Sequence, residues 1–247
     1  MFGQKPKKPR FPEGRVGYAI GDIHGRADLL VRMFDRLESE ARPPNGRAPI
    51  VIFMGDYVDR GPDSAEVVEL LQTGRPEGFE RRFLKGNHEA ALWNFVRDPV
   101  TYRAWLNHGG LETLASYKVS PLPSLGASAE DVRAAGRAFA TALPQSHRAF
   151  FDGLERFALL GDYLFVHAGV DPAKSLENQT DADLMWIRRR FLADHRRYEH
   201  HVVHGHTPTD APYADERRVG IDTGAYFSGQ LSAARFEGEA LSFITVR

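Results

Sequence analysis

The sequence predicts an α/β (α+β) chain: two packed, mixed β-sheets flanked by helices in four layers, with a helical insertion over about 90–151. Three observations carry that prediction. Apolar strand-like runs alternate with amphipathic helical repeats through the first half, helical repeats alone fill the middle, and strand-like runs dominate the last third. One core suffices, because 247 residues at 42% hydrophobic content can bury a single substantial interior. The organisation expected is a flexible basic leader over 1–14 and one domain over 15–247 that carries the insertion.

Residues 16–20 form a short apolar run that ends at Gly21. Leu29, Leu30, Met33, Phe34 and Leu37 then recur on one helical face, so a strand feeds an amphipathic helix. Pro43-Pro44-Asn45-Gly46 breaks the chain, and 50–54 follows as an apolar run of the kind buried on both faces of a sheet. Asp63 and Glu66 read as a helix N-cap and capping box, with Val67, Val68 and Leu71 on the apolar side of that helix. A third strand is expected over 79–84. Asp22, Asp56 and Asn87 therefore fall at intervals of about 30 residues, the length of a β-α-β unit. Parallel strands bring all three to one carboxyl edge, where ligands bind in open α/β sheets.

In the middle, helical patterns around 92–96, 102–106, 111–117 and 132–143 are interrupted by Pro121-Leu122-Pro123-Ser124-Leu125-Gly126. An insertion of this kind beside a catalytic edge walls the site and sets substrate choice. After it, 157–160 and 163–166 flank Gly161-Asp162 as a hairpin, and a helix is expected over about 181–192. Strands are expected over 201–204, 218–221, 231–236 and 241–246. Because most of these follow one another without helices, the second sheet is expected to be mainly antiparallel.

Composition removes several function classes. A formal net charge of −1 speaks against a protein whose main partner is nucleic acid. The absence of cysteine excludes disulfides, thiolate zinc sites and a cysteine nucleophile, so any metal must be held by O and N donors. Lys5-Pro6-Lys7-Lys8-Pro9-Arg10 is basic, but no apolar segment follows it as in a secretory signal. It reads as a mobile leader on a cytoplasmic protein, with contact to an acidic surface as the alternative. No apolar stretch approaches the ~20 residues of a membrane helix, so no membrane partner is expected.

The chemistry lies in five short segments: Gly21-Asp22-Ile23-His24-Gly25, Gly55-Asp56-Tyr57-Val58-Asp59-Arg60-Gly61, Gly86-Asn87-His88-Glu89, Val166-His167-Ala168-Gly169 and His204-Gly205-His206-Thr207-Pro208. The first four follow apolar runs, so their polar residues fall where buried strands end. Convergent Asp, Asn and His side chains at strand ends suit two divalent ions bridged by a carboxylate, with manganese first and iron or zinc as alternatives. Asp56 is the natural bridge. Asp22 and His24 can chelate one ion, and Asn87, His167 and His206 can complete the other. A water or hydroxide held between the ions is then the expected nucleophile. His88 is the expected proton donor to the leaving group, with Asp59 fixing its tautomer. Arg60 and Arg188 are candidates for binding phosphoryl oxygens.

Taken in order and at these intervals, the first three segments with the two later histidine motifs resemble the signature of the phosphoprotein phosphatase family of calcineurin-like metallophosphoesterases, over roughly residues 18–226. The resemblance implies a β-sandwich flanked by helices. It assigns Asp22, His24 and Asp56 to one metal, and Asp56, Asn87, His167 and His206 to the other. It also implies His88 and Asp59 as the acid dyad and Arg60 and Arg188 as phosphate ligands. Many related enzymes place a second histidine where this chain has Pro208, which resembles the protein-phosphatase branch with its bacterial and phage serine/threonine phosphatases and symmetrical diadenosine tetraphosphate hydrolases. It argues against cyclic-nucleotide phosphodiesterases and nucleases. The segments at 205–208 and 221–225 look prokaryotic within that branch.

Any single Asp or His in a loop is more often a cap or turn residue than a ligand, and only the coincidence of five motifs reverses that. His108, His147, His195, His200 and His201 lack such support and are expected at surface or helix-end positions. His204 should share a strand face with His206 and act indirectly or structurally. Asp222 either caps a turn or orients a metal-bound histidine. Trp93, Trp105 and Trp186 are expected to pack. Three functions follow: a metal-dependent phosphomonoesterase acting on phosphoserine and phosphothreonine or small phosphoesters, a hydrolase of symmetrical dinucleoside tetraphosphate type, and a non-catalytic metal-binding module. The last would show a damaged ligand set, and none is visible.

Overall fold

A computed structural model describes residues 8–40, 48–124 and 126–247. The break expected at Pro43-Pro44-Asn45-Gly46 and residues 1–7 of the basic leader lie outside the described residues. The end of the leader does not behave as expected. Phe11 is buried, its ring stacks on Phe236 at 5.8 Å, and its N–H donates to the Gly238 carbonyl at 2.8 Å. The ordered domain therefore begins before residue 15, because one aromatic ring fills a gap over Gly17.

Two five-stranded sheets form the centre. In the first, β1 (Val16–Ile20) pairs in parallel with β2 (Ile50–Phe53), and β2 with β3 (Glu80–Phe83). On its other side β1 pairs antiparallel with β9 (Leu231–Glu237), which pairs with β10 (Ala240–Val246). The helix α1 (Ala27–Glu40) connects to β2, and α2 (Ser64–Gln72) connects β2 to β3.

The second sheet runs β4 (Phe157–Leu160), β5 (Tyr163–Val166), β6 (His201–His204), β8 (Arg218–Gly220), β7 (Tyr213–Ala214). Its two outer pairs are antiparallel, but β5–β6 and β6–β8 are parallel, so it is mixed rather than mainly antiparallel. The reason is the crossover between β5 and β6, which returns the chain to the same starting edge. That crossover holds α7 (Asp181–Trp186) and α8 (Arg189–Leu192), two short helices in place of the single one expected. They part at Ile187, whose backbone is extended.

The period-two alternation of strands sorts side chains into layers. Ala19, Ile50, Ile52, Tyr163 and Phe165 point between the sheets, joined there by Val203, Ile221 and Phe236. Tyr18, Ile20, Val51 and Phe53 point the other way, against α1, α2 and the insertion. Leu164 and Val166 face outward onto Leu184 and Phe191 of α7 and α8. Four layers result, as expected.

Among the described residues of 90–151 there is no strand. They comprise the rest of α3 (Asn87–Arg97), a 3-10 turn at Arg103–His108, α4 (Gly110–Ser116), α5 (Ala129–Ala142) and α6 (Gln145–Asp152). This block packs on α2, and Ser116 Oγ accepts the Ala65 N–H at 3.1 Å. That bond takes the place of the expected Asp63 capping box, for Asp63 makes no side-chain cap. Among the described residues no helix is long and apolar enough to cross a membrane.

Candidate active site

Each motif falls just past the carboxyl end of a strand: Asp22 and His24 after β1, Asp56 after β2, Asn87 and His88 after β3, His167 after β5 and His206 after β6. The turns there are tight. His24, Asp56, Asp59, Arg60 and His206 all have positive φ, between 46° and 74°, a region that costs an L-residue on the order of 1–3 kcal/mol unless its surroundings enforce it. Two glycines make room for the carboxylates. A Cβ on Gly86 would come within 2.2 Å of Asp56 Oδ1, and one on Gly205 within 2.2 Å of Asp22 Oδ1. Glu89 then ties the Asp56 turn to the start of α3. Its carboxylate accepts the N–H groups of Asp56 (2.9 Å), Tyr57 (2.8 Å) and Gly86 (2.9 Å).

Ligand-type atoms gather in two groups that share Asp56: His24, Asp56 and His88, and Asp56, His167 and His206, each set within 4.8 Å. Asn87 joins the second group, its Oδ1 being 2.9 Å from His167 Nε2. Asp22 belongs to neither group. Its carboxylate accepts the His206 N–H at 3.0 and 3.2 Å.

The donor set fits a cation. His167 Nδ1 lies 2.8 Å from the Met54 carbonyl and must donate to it, so Nε2, which faces Asn87 Oδ1 at 2.9 Å and Asp56 Oδ2 at 3.4 Å, is the ring atom left to hold either a proton or a cation. His24 Nδ1 likewise donates to the Val58 carbonyl at 2.9 Å and leaves Nε2 free, and His206 Nε2 is buried with no hydrogen-bond partner among the described residues. Two neutral imidazoles, His24 and His206, therefore bring free lone pairs to the Asp56 cluster.

Electrostatics point the same way. Burial, then the neighbouring Asp222, pushes the Asp22 carboxyl well above its usual range. Burial also takes Glu89 up to about 7 and Asp222 up to about 6, with Asp56 adding to both. Burial pushes His24 down to about 3 and His206 down to about 2, so both are neutral. The 3.5 Å approach of His24 to Asp56 is accordingly no ion pair. Burial opposes a charge on His167, yet Asp56 and Asp22 outweigh it and hold the ring proton up to about 10. That proton occupies the place a metal cation would take.

Beside the shared carboxylate stands His88. Its Nδ1 is 2.6 Å from Asp59 Oδ2, and its Nε2 faces the cluster, 3.9 Å from Asp56 Oδ2. Asp59 is fully buried, and its carboxylate also accepts from Trp105 Nε1 at 2.7 Å and Thr113 Oγ1 at 2.6 Å. Burial works against the charged His88 ring, but Asp56 and Asp59 raise its pKa overall.

A cavity of about 500 Å³ opens from the cluster towards the insertion, lined by Asn87, His88 and His206 at its floor and by Arg60, Arg188, Tyr102 and Trp186 along its walls. The Arg60 guanidinium lies 4.7 Å from the centre of the Tyr226 ring, which meets His24 edge-on at 5.5 Å. Among the described residues neither Arg60 nor Arg188 is ion-paired, so both charges are free for an anion. A larger hollow of about 770 Å³ near Arg197 is remote from this chemistry, and Arg197 there is already paired with Glu216 at 3.0 Å.

A family model described as calcineurin-like phosphoesterase matches residues 18–237, which contain all of these groups. The chain belongs to the calcineurin-like phosphoesterase family. It is therefore a hydrolase of phosphate esters, built on a family fold that uses divalent metal. A Bacillus velezensis protein named bis(5'-nucleosyl)-tetraphosphatase [asymmetrical] is 29% identical over 90% of each chain. Among solved structures, a candidate diadenosine tetraphosphatase superposes with a TM-score of 0.63 at 20% identity, over 94% of each chain. A cold-active protein-tyrosine phosphatase from a Shewanella species reaches 0.62 at 13% identity, over 96% of this chain and 83% of the other. Both structural likenesses are likenesses of fold.

Several expectations need correction in this phosphoesterase. His204 does not share a face with His206, because β6 ends at His204 and the positive φ of His206 turns the chain; His204 packs between Phe191 and Tyr213. His147 lies at a helix end, in the first turn of α6, as expected, but it is buried, bonded to Tyr117 at 2.8 Å and Glu69 at 3.0 Å. Trp186 does not pack; it is 51% exposed at the cavity wall. Asp222 caps a turn, accepting the Gly224 N–H at 2.8 Å. Glu89, Trp105 and Thr113 were not foreseen. Glu89 had a signal in the Gly-Asn-His-Glu motif, whereas nothing in the local pattern marks Trp105 or Thr113, which reach Asp59 from the insertion.

Proposed function

We propose that the chain is a two-metal hydrolase of phosphate esters and anhydrides, with dinucleoside tetraphosphates ahead of phosphoproteins as its substrate class. One observation carries this reading: two groups of carboxylate and imidazole share Asp56, and His88, a member of the first, is bonded at 2.6 Å to the buried carboxylate of Asp59. In this reading Asp22, His24 and Asp56 hold one divalent ion, and Asp56, Asn87, His167 and His206 the other. Manganese is the ion proposed, and iron or zinc would suit the same O and N donors. When bound, the ions would polarise the phosphoryl group and make a water acidic enough to attack near neutral pH.

The remaining steps belong to side chains. Arg60 and Arg188 bind the non-bridging phosphoryl oxygens and offset the charge that develops on them. His88 donates its Nδ1 proton to Asp59, which fixes the ring so that Nε2 hands a proton to the departing oxygen. Trp105 and Thr113 hold Asp59 in place.

The sequence alone ranks phosphoproteins first. The order is reversed here because a relative named as an asymmetrical dinucleoside tetraphosphatase matches along 90% of both chains, while the protein phosphatase likeness is one of fold. Phosphoproteins remain the second reading, favoured by the dyad, since a departing alkoxide needs a proton more than a departing nucleotide phosphate does. The test is turnover by the manganese-loaded protein of diadenosine tetraphosphate, a phosphoserine peptide and an aryl phosphate. Fastest turnover of the dinucleotide, with AMP and ATP as products, is expected; two ADP would mean a symmetrical cut. Preference for the peptide would put the second reading in its place, and no turnover of any of them would sink both.

A further inference from the structure

We infer that Trp186 and Tyr102 form a specificity element of this site that stacks a nucleobase, while Arg188 takes the phosphate next to it; the inference rests on the dinucleotide reading above. The three tryptophans differ in a way that packing does not explain. Trp93 donates its indole N–H to Asp152 at 2.9 Å and lies beside Phe151, and Trp105 donates to Asp59 and packs on Phe95 at 4.8 Å. Trp186 is 51% exposed, and among the described residues its ring has neither a hydrogen-bond partner nor an aromatic neighbour. Tyr102 is alike: 44% exposed, with no partner for its ring or hydroxyl among the described residues. Leaving two large amphipathic rings in water forgoes burial that most such side chains find.

Their placement gives them a use. Both line the cavity whose floor is Asn87, His88 and His206, so a ligand touching the rings is continuous with the reacting centre. Trp186 ends α7 at its turn into α8, and Tyr102 comes from the insertion. At that turn Ile187 is extended and packs inward against the outer face of the second sheet. Trp186 and Arg188, on either side of it, both line the cavity. An unpaired cation beside an exposed indole matches a nucleoside phosphate, whose base offers a π-face and whose phosphate offers charge. A phosphoserine peptide supplies the charge but nothing that requires the rings.

Two measurements test this together. In the first, kcat/KM of the manganese-loaded enzyme is measured on diadenosine tetraphosphate and on inorganic tripolyphosphate, which has no base. Trp186→Ala and Tyr102→Ala should each lower the ratio of the two values about tenfold, mainly through KM for the dinucleotide, and Trp186→Phe should restore most of it. In the second, tryptophan fluorescence is titrated with AMP and with ribose 5-phosphate. Quenching by AMP alone, lost in Trp186→Phe, supports the stack. An unchanged ratio in active enzyme overturns the inference while the proposed function stands. If no dinucleotide is hydrolysed at all, that function fails, and the titration decides the base site: quenching seen with neither ligand, or equally with both, overturns it.

Discussion

The space between the two sheets and the carboxyl edge a few residues further along the same strands are built on opposite rules. The inter-sheet core consists of Ala19, Ile50, Ile52, Phe165, Val203, Phe236 and their apolar neighbours, in regular pleated backbone. The edge buries Asp22, His24, Asp56, Asp59, Asn87, His88, Glu89, His167, His206 and Asp222, and it holds five of its residues at positive φ. Crowded carboxylates and off-region backbone are costly to a fold. They persist at the edge because the core supplies stability there without needing any polar group. Stability and chemistry are thus separated along each strand, and the separation can be attacked from either side.

The largest effect should come from the shared carboxylate. Asp56→Asn should lower kcat on the order of 10³-fold, as expected when a key electrostatic group is removed, without lowering the melting temperature of the manganese-free protein by more than a few degrees. Phe236→Ala, at the opposite end of β9 from the site, should do the reverse: a loss of about 3–5 kcal/mol in urea unfolding with kcat close to that of the parent below the transition. If Phe236→Ala abolished turnover while still folded, the division between the two regions would be false.

A smaller effect should come from the support around the dyad. Trp105→Phe keeps the ring packed against Phe95 but removes one of the donors to Asp59. A loss of kcat of about 10-fold is expected, the lower end for a group that orients another, together with a downward shift of the basic limb of the pH-rate profile. The sign follows from the cause: a less firmly held Asp59 supports the charged His88 less, so His88 gives up its proton at lower pH. An unshifted basic limb would show that Trp105 only packs.

How much of this was legible in the sequence varies by region in the same way. The three parallel strands of the first sheet and the five motifs were readable because apolar runs ending in polar turns follow local rules, whereas β9 and β10 were read as strands but expected in the second sheet. The four-layer arrangement followed from them. Parallel pairing in the second sheet was missed although a helix was expected over 181–192, because the run of strands without helices after it outweighed that one crossover, and the two-residue β7 leaves no signal. His147 looked like any helix-end histidine because its partners, Tyr117 and Glu69, are distant in sequence. Trp105 and Thr113 were hidden for the same reason. They act on Asp59 only once the insertion folds back over the edge. The leader was misjudged at Phe11, where a single ring anchors a segment whose composition looks mobile.

The central claim is that the edge holds two ions through the one carboxylate of Asp56. It is tested most directly by titrating the metal-free protein with Mn²⁺ and recording the electron paramagnetic resonance spectrum. Two ions per chain with an exchange-coupled signal are predicted, with the coupling lost in Asp56→Asn and in His206→Ala. A single ion per chain, or two that remain magnetically independent in the parent protein, would contradict the account.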